Sequence, residues 1–235
     1  MKIQGPWLPG KLIKRYKRFL ADVTLEDGTS VTAHTPNTGS LKGCSVPGSK
    51  VWLRDTQNPA RKYPYSWEMV EPEPGVWVGI NTGLSNQLVR EGIETGVIEP
   101  LQGYSQISTE VRYGWEKSRI DLLLEREGHP PCYVEVKNVT LVEGEIALFP
   151  DAVTVRGTKH LRELIEVVNQ GGRGVLVFCV QRKDGRELRP ADEIDPVYGK
   201  TLRQAISAGV EVYAYQADPK PGEICLDRTL PVVCP

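Results

Sequence analysis

The sequence predicts an α+β protein of two domains, an OB-like β-barrel over residues 1–79 and a mixed α/β domain over residues 80–235. Three observations predict it. Up to about residue 80 the chain reads as short strand-like runs cut by Gly, Pro and Asn turns, and helical spacing appears only from about residue 82. Beyond that point helices and strands follow in the order α-β-β-β-α-β-α-β, which builds a mixed sheet with helices on its faces. The charge changes sign at the same place: residues 1–79 carry +4, residues 80–235 carry −5, and the whole chain −1.

Composition sets the class. With 235 residues, 40% hydrophobic and 25% charged, the chain is an ordinary globular one, long enough for a core in each domain, and disordered, collagen-like and coiled-coil readings fall away. No apolar run approaches the roughly 18 residues of a membrane span. Met1 to Trp7 lacks the apolar run of a secretory signal, so a soluble, cytoplasmic protein is expected. The five cysteines are widely spaced, without a C-x-x-C pair, and the three histidines are not at ligand spacing, so neither zinc nor disulfides are supported.

In the barrel, Leu12 to Val23 reads as one strand and Glu26-Asp27-Gly28-Thr29 as a hairpin turn. Ser30 to His34 is a second strand and Pro36 to Ser40 a loop. After the Pro47-Gly48-Ser49 turn, Lys50 to Arg54, Tyr65 to Val70 and Trp77 to Ile80 complete five strands, for which a small OB-like barrel is the common solution. In the second domain Asn81 or Thr82 caps a helix through Leu84, Leu88, Val89 and Ile93, stopped by Gly96. Extended segments follow at Ile107–Gly114, Ser118–Leu124 and Cys132–Lys137, the last two joined by a polar hairpin loop. Thr158 is expected to cap a helix through Leu161, Leu164, Ile165 and Val168. Gly174 to Val180 is apolar throughout, as in a strand buried on both faces. Leu202 to Ala208 reads as a helix and Val210 to Tyr215 as the last strand.

Chemistry is expected where Ser118-Arg119-Ile120-Asp121 faces Tyr133-Val134-Glu135-Val136-Lys137. Glu135 and Lys137 share one face of their strand, roughly 7 Å apart along it. Asp121 stands in an apolar run where an unpaired carboxylate costs several kcal/mol, so it needs a partner: Lys137, or a metal shared with Glu135. Two acids and a lysine at one end of a sheet suit Mg²⁺ or Mn²⁺, held by Asp121, Glu135 and the Val136 carbonyl, with Lys137 orienting or deprotonating water. An internal salt bridge is the alternative. Asp218-Pro219-Lys220 matches the same short pattern and is set aside as a proline-broken loop.

Glu110 is a candidate third catalytic acid, or a solvated strand residue. Arg156, Lys159 and His160 are candidate phosphate contacts near a helix N-terminus, or solvated residues of its first turn. In the barrel Lys14, Arg15, Arg18, Arg61 and Lys62 are interleaved with Tyr16, Phe19, Tyr63 and Tyr65, a mixture that suits nucleic acid, although the aromatics are equally read as barrel core, the preferred reading for Tyr16 and Phe19.

Several blocks closely resemble the sugar fermentation stimulation protein A family. They are His34-Thr35-Pro36-Asn37-Thr38-Gly39, Asn81-Thr82, Ser118 to Asp121, Val134 to Leu141, and Phe149 to Leu161. The resemblance spans nearly the whole chain. It implies an N-terminal OB-fold, with Asn37 in the DNA-binding set, and a C-terminal domain similar to PD-(D/E)xK nucleases, with Asp121, Glu135 and Lys137 at the catalytic positions. Ile120 stands where the nuclease pattern has proline. It further implies DNA binding and a role in regulating sugar (maltose) utilisation. The expectation is a Mg²⁺- or Mn²⁺-dependent phosphodiesterase acting on DNA; the alternative is a non-catalytic DNA-binding regulator that keeps the nuclease fold as scaffold. A carbohydrate-binding role has no supporting pattern. DNA is the expected partner; no membrane and no protein partner follow from the residues, and a homodimer stays open.

Overall fold

The computed structural model describes residues 1–115 and 118–235. Its first part is a six-stranded sheet of β1 (Trp7–Tyr16), β2 (Leu20–Leu25), β3 (Ser30–His34), β4 (Lys50–Asp55), β5 (Tyr65–Glu73) and β6 (Val76–Gly79). The strand order is β3-β2-β1-β4-β5-β6, and a further parallel pairing of β3 with β5 closes the barrel. Inward-facing Leu12, Val23, Ala33, Val51, Leu53 and Trp67 fill it. The expected strand from Leu12 to Val23 is in fact two. Lys17 and Arg18 take positive φ (50° and 63°) and turn the chain back between β1 and β2.

The second part is built on a sheet ordered β15-β14-β12-β9-β8-β7. These strands are β7 (Gln106–Tyr113), β8 (Ser118–Glu125), β9 (Cys132–Val139), β12 (Arg173–Val180), β14 (Glu211–Lys220) and β15 (Glu223–Leu230). Helix α1 (Ser85–Glu94) covers one face through Leu88, Val89 and Ile93; α2 (Val155–Asn169) and α3 (Pro196–Ser207) cover the other through Leu161, Leu164 and Leu202. β12 lies inside the sheet, between β14 and β9, and is buried along almost its whole length, as its unbroken apolar run requires. A three-stranded sheet of β10 (Leu141–Glu143), β11 (Ile146–Phe149) and β13 (Glu187–Pro190) was not foreseen; its strands are too short to show a period.

Three boundaries depart from expectation for visible reasons. α2 begins a turn earlier than expected, because Thr154 rather than Thr158 accepts the Gly157 N–H. α3 begins at Pro196, where Asp195 accepts the Tyr198 N–H and proline fits the first helical position. β14 runs on to Lys220, so Asp218-Pro219-Lys220 is strand and not loop. Past Gln216 it pairs with β15 alone, and Pro219, which lacks an N–H, is tolerated on the unpaired side.

The barrel meets the second domain along a polar seam. Gln181 is fully buried just beyond β12, and the two protons of its Nε2 are shared among Asn81 O (3.2 Å), Ser85 Oγ (3.1 Å) and Asn138 Oδ1 (2.5 Å). Its backbone carbonyl accepts the Gly79 N–H at 2.8 Å. A Cβ at Gly79 would stand 2.3 Å from Gln181 Oε1, so this contact requires glycine. On the far side of the junction Thr82 donates to Pro36 O through N and Oγ1, while Ser40 Oγ and Leu41 N donate to Asp151 Oδ2 at 2.8 and 3.0 Å.

Gln181→Ala removes the hydrogen bonds of a buried side-chain amide, while Asn81 O still accepts from Leu84 N and Asn138 Oδ1 from Ser85 Oγ. The expected loss is about 1–3 kcal/mol, read as a lower urea midpoint; an unchanged midpoint would show that the seam adds nothing to stability.

Candidate functional site

Strands β8 and β9 are paired only from Leu122↔Val134 to Leu124↔Cys132. In the direction of Asp121 and Glu135 they part, and both carboxylates stand at the opening. The pleat breaks there as well. Ile120 and Leu123 pack in the core under α2, whereas Leu122 and Leu124 pack in the core under α1. The Val136 N–H, past the end of the β8–β9 ladder, donates instead to Asp121 Oδ2 at 2.7 Å. Asn86, in the first turn of α1, donates to Asp121 Oδ1 at 2.8 Å. The partners of Asp121 are thus an amide and an asparagine, not Lys137 as one reading expected.

Glu135 is 2% exposed. Its Oε1 receives Lys137 Nζ at 2.6 Å and the ring Nδ1 of His160. Arg156 Nε donates to His160 Nε2 at 3.4 Å, so Nε2 is the acceptor and the ring proton sits on Nδ1, directed at the carboxylate. The other oxygen, Glu135 Oε2, is buried and has no hydrogen-bond partner.

Electrostatics separate the two acids. Burial, then the charge of Glu135, push the Asp121 carboxyl up to about 6, against the help of the Val136 N–H, Lys137 and Asn86. Burial also acts to raise Glu135, but the His160 bond and the Lys137 charge outweigh it and hold that carboxyl below its usual range. Two neighbouring carboxylates, one resisting ionisation and one with a bare buried oxygen, form a donor set that fits a hard cation. Among the described residues no group of three or more His, Cys, Asp or Glu gathers round one point, so the set rests on two acids and backbone oxygen.

Asn86, Val136, Lys137 and Arg156, which surround the two acids, line a cleft of about 640 Å³ between the domains, and Asp121 and Glu135 lie behind that lining. Its floor is Val136 to Thr140; one wall is the barrel loop Asn37 to Ser40 with Arg15 and Arg18, and the other Leu148 to Thr154 with Arg156. Lys137, Arg18, Arg156 and Asn37 therefore come together, but Asn37 Oδ1 and the two terminal nitrogens of Arg15 are engaged in structure. Asn37 Oδ1 accepts the Gly39 N–H. The Arg15 guanidinium donates to the carbonyls of Arg18, Asn37, Gly39 and Ser40. It is a brace for the loop rather than a spare phosphate contact.

Other expected residues lie elsewhere. His160 is 4% exposed, behind Glu135, where no phosphate reaches it. Lys159 is half-buried on α2 and outside the cleft wall. Glu110 has positive φ (54°) and is exposed; it falls opposite Asp121 in the β7–β8 register, with its side chain turned to solvent. Lys14 pairs with Asp22 and lies over Tyr16. Arg61 and Lys62 sit in the β4–β5 loop, outside the cleft, with Lys62 over Tyr63. Sequence reasoning missed Asn86 and the Ser85–Gln181–Asn138 network. Ser85 carried the signal, a polar residue at the spacing of Leu88, Val89, Gly92 and Ile93 on the buried face of α1.

The chain is similar to known proteins over nearly its whole length. Residues 83–223 match the family described as sugar fermentation stimulation protein RE domain, and residues 13–80 match the SfsA N-terminal OB domain. A sugar fermentation stimulation protein homolog of Geobacter metallireducens is 62% identical, covering 99% of this chain and 100% of its own. The homolog of Geobacter sulfurreducens is 61% identical over 99% of both chains. Among solved structures, that of Pyrococcus furiosus SfsA in complex with Ca²⁺ superposes with a TM-score of 0.89 at 30% identity, covering 99% of this chain and 98% of that one.

The Asp121 carboxyl titrates near 6 when folded and near 3.9 when unfolded. Its stabilising effect is therefore full below about pH 4 and lost as pH rises through about 6. Without divalent cations, Asp121→Asn should be more stable than wild type at pH 7 by about 1–3 kcal/mol, and equal to it near pH 4. Urea titrations at the two pH values check this.

Proposed function

The chain belongs to the sugar fermentation stimulation protein family, and on that premise we propose that it is a DNA-binding, divalent-metal-dependent phosphodiesterase whose reactive centre is Asp121, Glu135 and Lys137. The observation that carries the reading is Glu135 Oε2, a buried oxygen without a partner on a carboxylate held ionised. Such an atom is costly unless a cation completes it. That the related Pyrococcus furiosus protein was solved in complex with Ca²⁺ supports the same reading.

Asp121, Glu135 through Oε2, and the Val136 carbonyl would hold Mg²⁺ or Mn²⁺. When bound, such an ion supplies charge neutralisation at a phosphodiester and lowers the pKa of an attacking water. The chain's own groups do the rest. Asn86 and the Val136 N–H fix the Asp121 carboxylate from two sides. His160, locked by Arg156, fixes Glu135 and leaves Oε2 unpartnered, where it would be available to a cation. Lys137, at the cleft floor, orients water and offsets the negative charge that grows on the phosphorus oxygens. Arg18 and Arg156, both exposed on opposite walls, neutralise flanking phosphates. A place in regulating sugar utilisation, and the cytoplasm as its location, belong to this proposal.

A second reading has one observation in its favour. Lys137 and His160 already satisfy Glu135 Oε1 without any metal, as in a retained scaffold. A non-catalytic DNA-binding regulator would then use the cleft for affinity alone.

One experiment separates them. Purified protein with Mn²⁺ is expected to cleave DNA, and Lys137→Ala to lower the rate by about 10²-fold or more while binding DNA with nearly wild-type affinity. Salt-sensitive binding with no cleavage under any metal would leave the regulator; cleavage undiminished in Lys137→Ala would remove the proposed role of that lysine.

A further inference from the structure

The cleft has a shape that the reactive centre alone does not explain. The barrel loop forming one wall is tied to the second domain at both ends, at Pro36 by Thr82 and at Ser40 and Leu41 by Asp151. Arg15 stiffens the span between these ties through backbone carbonyls. Leu41 anchors the far end, fully buried in the barrel core. The loop is thus a fixed fence beside the floor that carries Lys137, and Glu135 lies deeper still at 2% exposure.

Duplex DNA is usually met by a protruding helix or ribbon that enters a groove about 12 Å wide. Here the relation is inverted. The reactive groups are recessed, and the fence stands beside them as one wall of the cleft. A fixed wall beside a recessed centre admits one narrow strand and meets the bulk of a double helix first. The walls also carry the two kinds of contact a bare strand needs: cationic groups at Arg18, Lys137 and Arg156, and apolar surface at Phe149, Ala152 and Val153. Val153 lines the cleft and is 71% exposed.

Resting on the reading of the cleft given above, we propose that its substrate is a single unpaired nucleic acid strand, and that the loop latched by Ser40 and Asp151 keeps an intact duplex from the reactive groups. A cleft of 640 Å³ is of the size that encloses a small ligand, about one or two nucleotides. Val153 meets a base face, while Arg18 and Arg156 take the phosphates on either side.

The test measures binding and cleavage separately, on a fluorescein-labelled single strand and on the blunt duplex of the same sequence at fixed salt. Binding is read by anisotropy with Ca²⁺, cleavage with Mn²⁺. Wild type should bind the single strand about tenfold or more tightly than the duplex. Val153→Glu should erase that preference, and Val197→Glu, at a position on α3 that is 62% exposed and outside the cleft, should preserve it. Ser40→Ala with Asp151→Ala, checked for folding by circular dichroism, should narrow the ratio by admitting duplex. Equal affinity for the two forms, binding of neither, or a preference untouched by Val153→Glu overturns the inference. Preference for the single strand without cleavage supports it and refutes the hydrolytic reading.

Discussion

Two carboxylates held within Coulomb range of each other, where β8 and β9 part, are the constraint around which the rest of the second domain is arranged. A buried carboxylate pair cannot be left to repel; one member must take up a proton or both must share a cation. The fold supplies partial relief from several directions: Asn86 from α1, the Val136 amide from the unpaired end of the ladder, Lys137 from the same strand and His160 from α2. Each removes part of the cost. One oxygen of Glu135 is still unpartnered, and the high titration point of Asp121 records the strain that persists. A domain selected for stability alone would replace such a pair with apolar residues.

The barrel adds a wall and not merely a neighbour. Its loop from Pro36 to Leu41 is fastened to Thr82 and Asp151, and the Gln181 hub knits β6, the start of α1 and the end of β9 together. Ser85 and Asn86 are adjacent on α1, one facing the hub and the other Asp121. The junction that holds the domains together therefore also sets the position of the first acid. This is why the cleft combines residues far apart in the chain, Arg18 and Asn37 from the barrel with Lys137 and Arg156 from the sheet and helix.

Much of this was legible from the residues alone. Alternation placed Glu135 and Lys137 on one face, and the polar loop before Cys132 signalled the hairpin that brings Asp121 near them. The continuous apolar run of β12 announced a central strand. The misreadings have physical sources. The β1–β2 turn uses Lys17 and Arg18 at positive φ, where glycine or asparagine is the usual signal, so two strands were read as one. Arg15 and His160 look like phosphate ligands by type, but their use is decided by what lies opposite them: four carbonyls in one case, a carboxylate in the other. Asn86 gave no signal because its role depends on a partner 35 residues away. Burial and long-range pairing, which no local pattern encodes, made these differences.

The central claim is that Asp121 and Glu135 form one divalent-cation site completed by the bare oxygen of Glu135. Calorimetric titration of Mn²⁺ into wild type and Glu135→Gln tests it most directly, since the amide keeps the shape and removes the charge. The account predicts a single saturable site in wild type, weakened about 10²-fold or more in Glu135→Gln by loss of a charged ligand. Equal Mn²⁺ binding by the two proteins, or none by wild type, would contradict it.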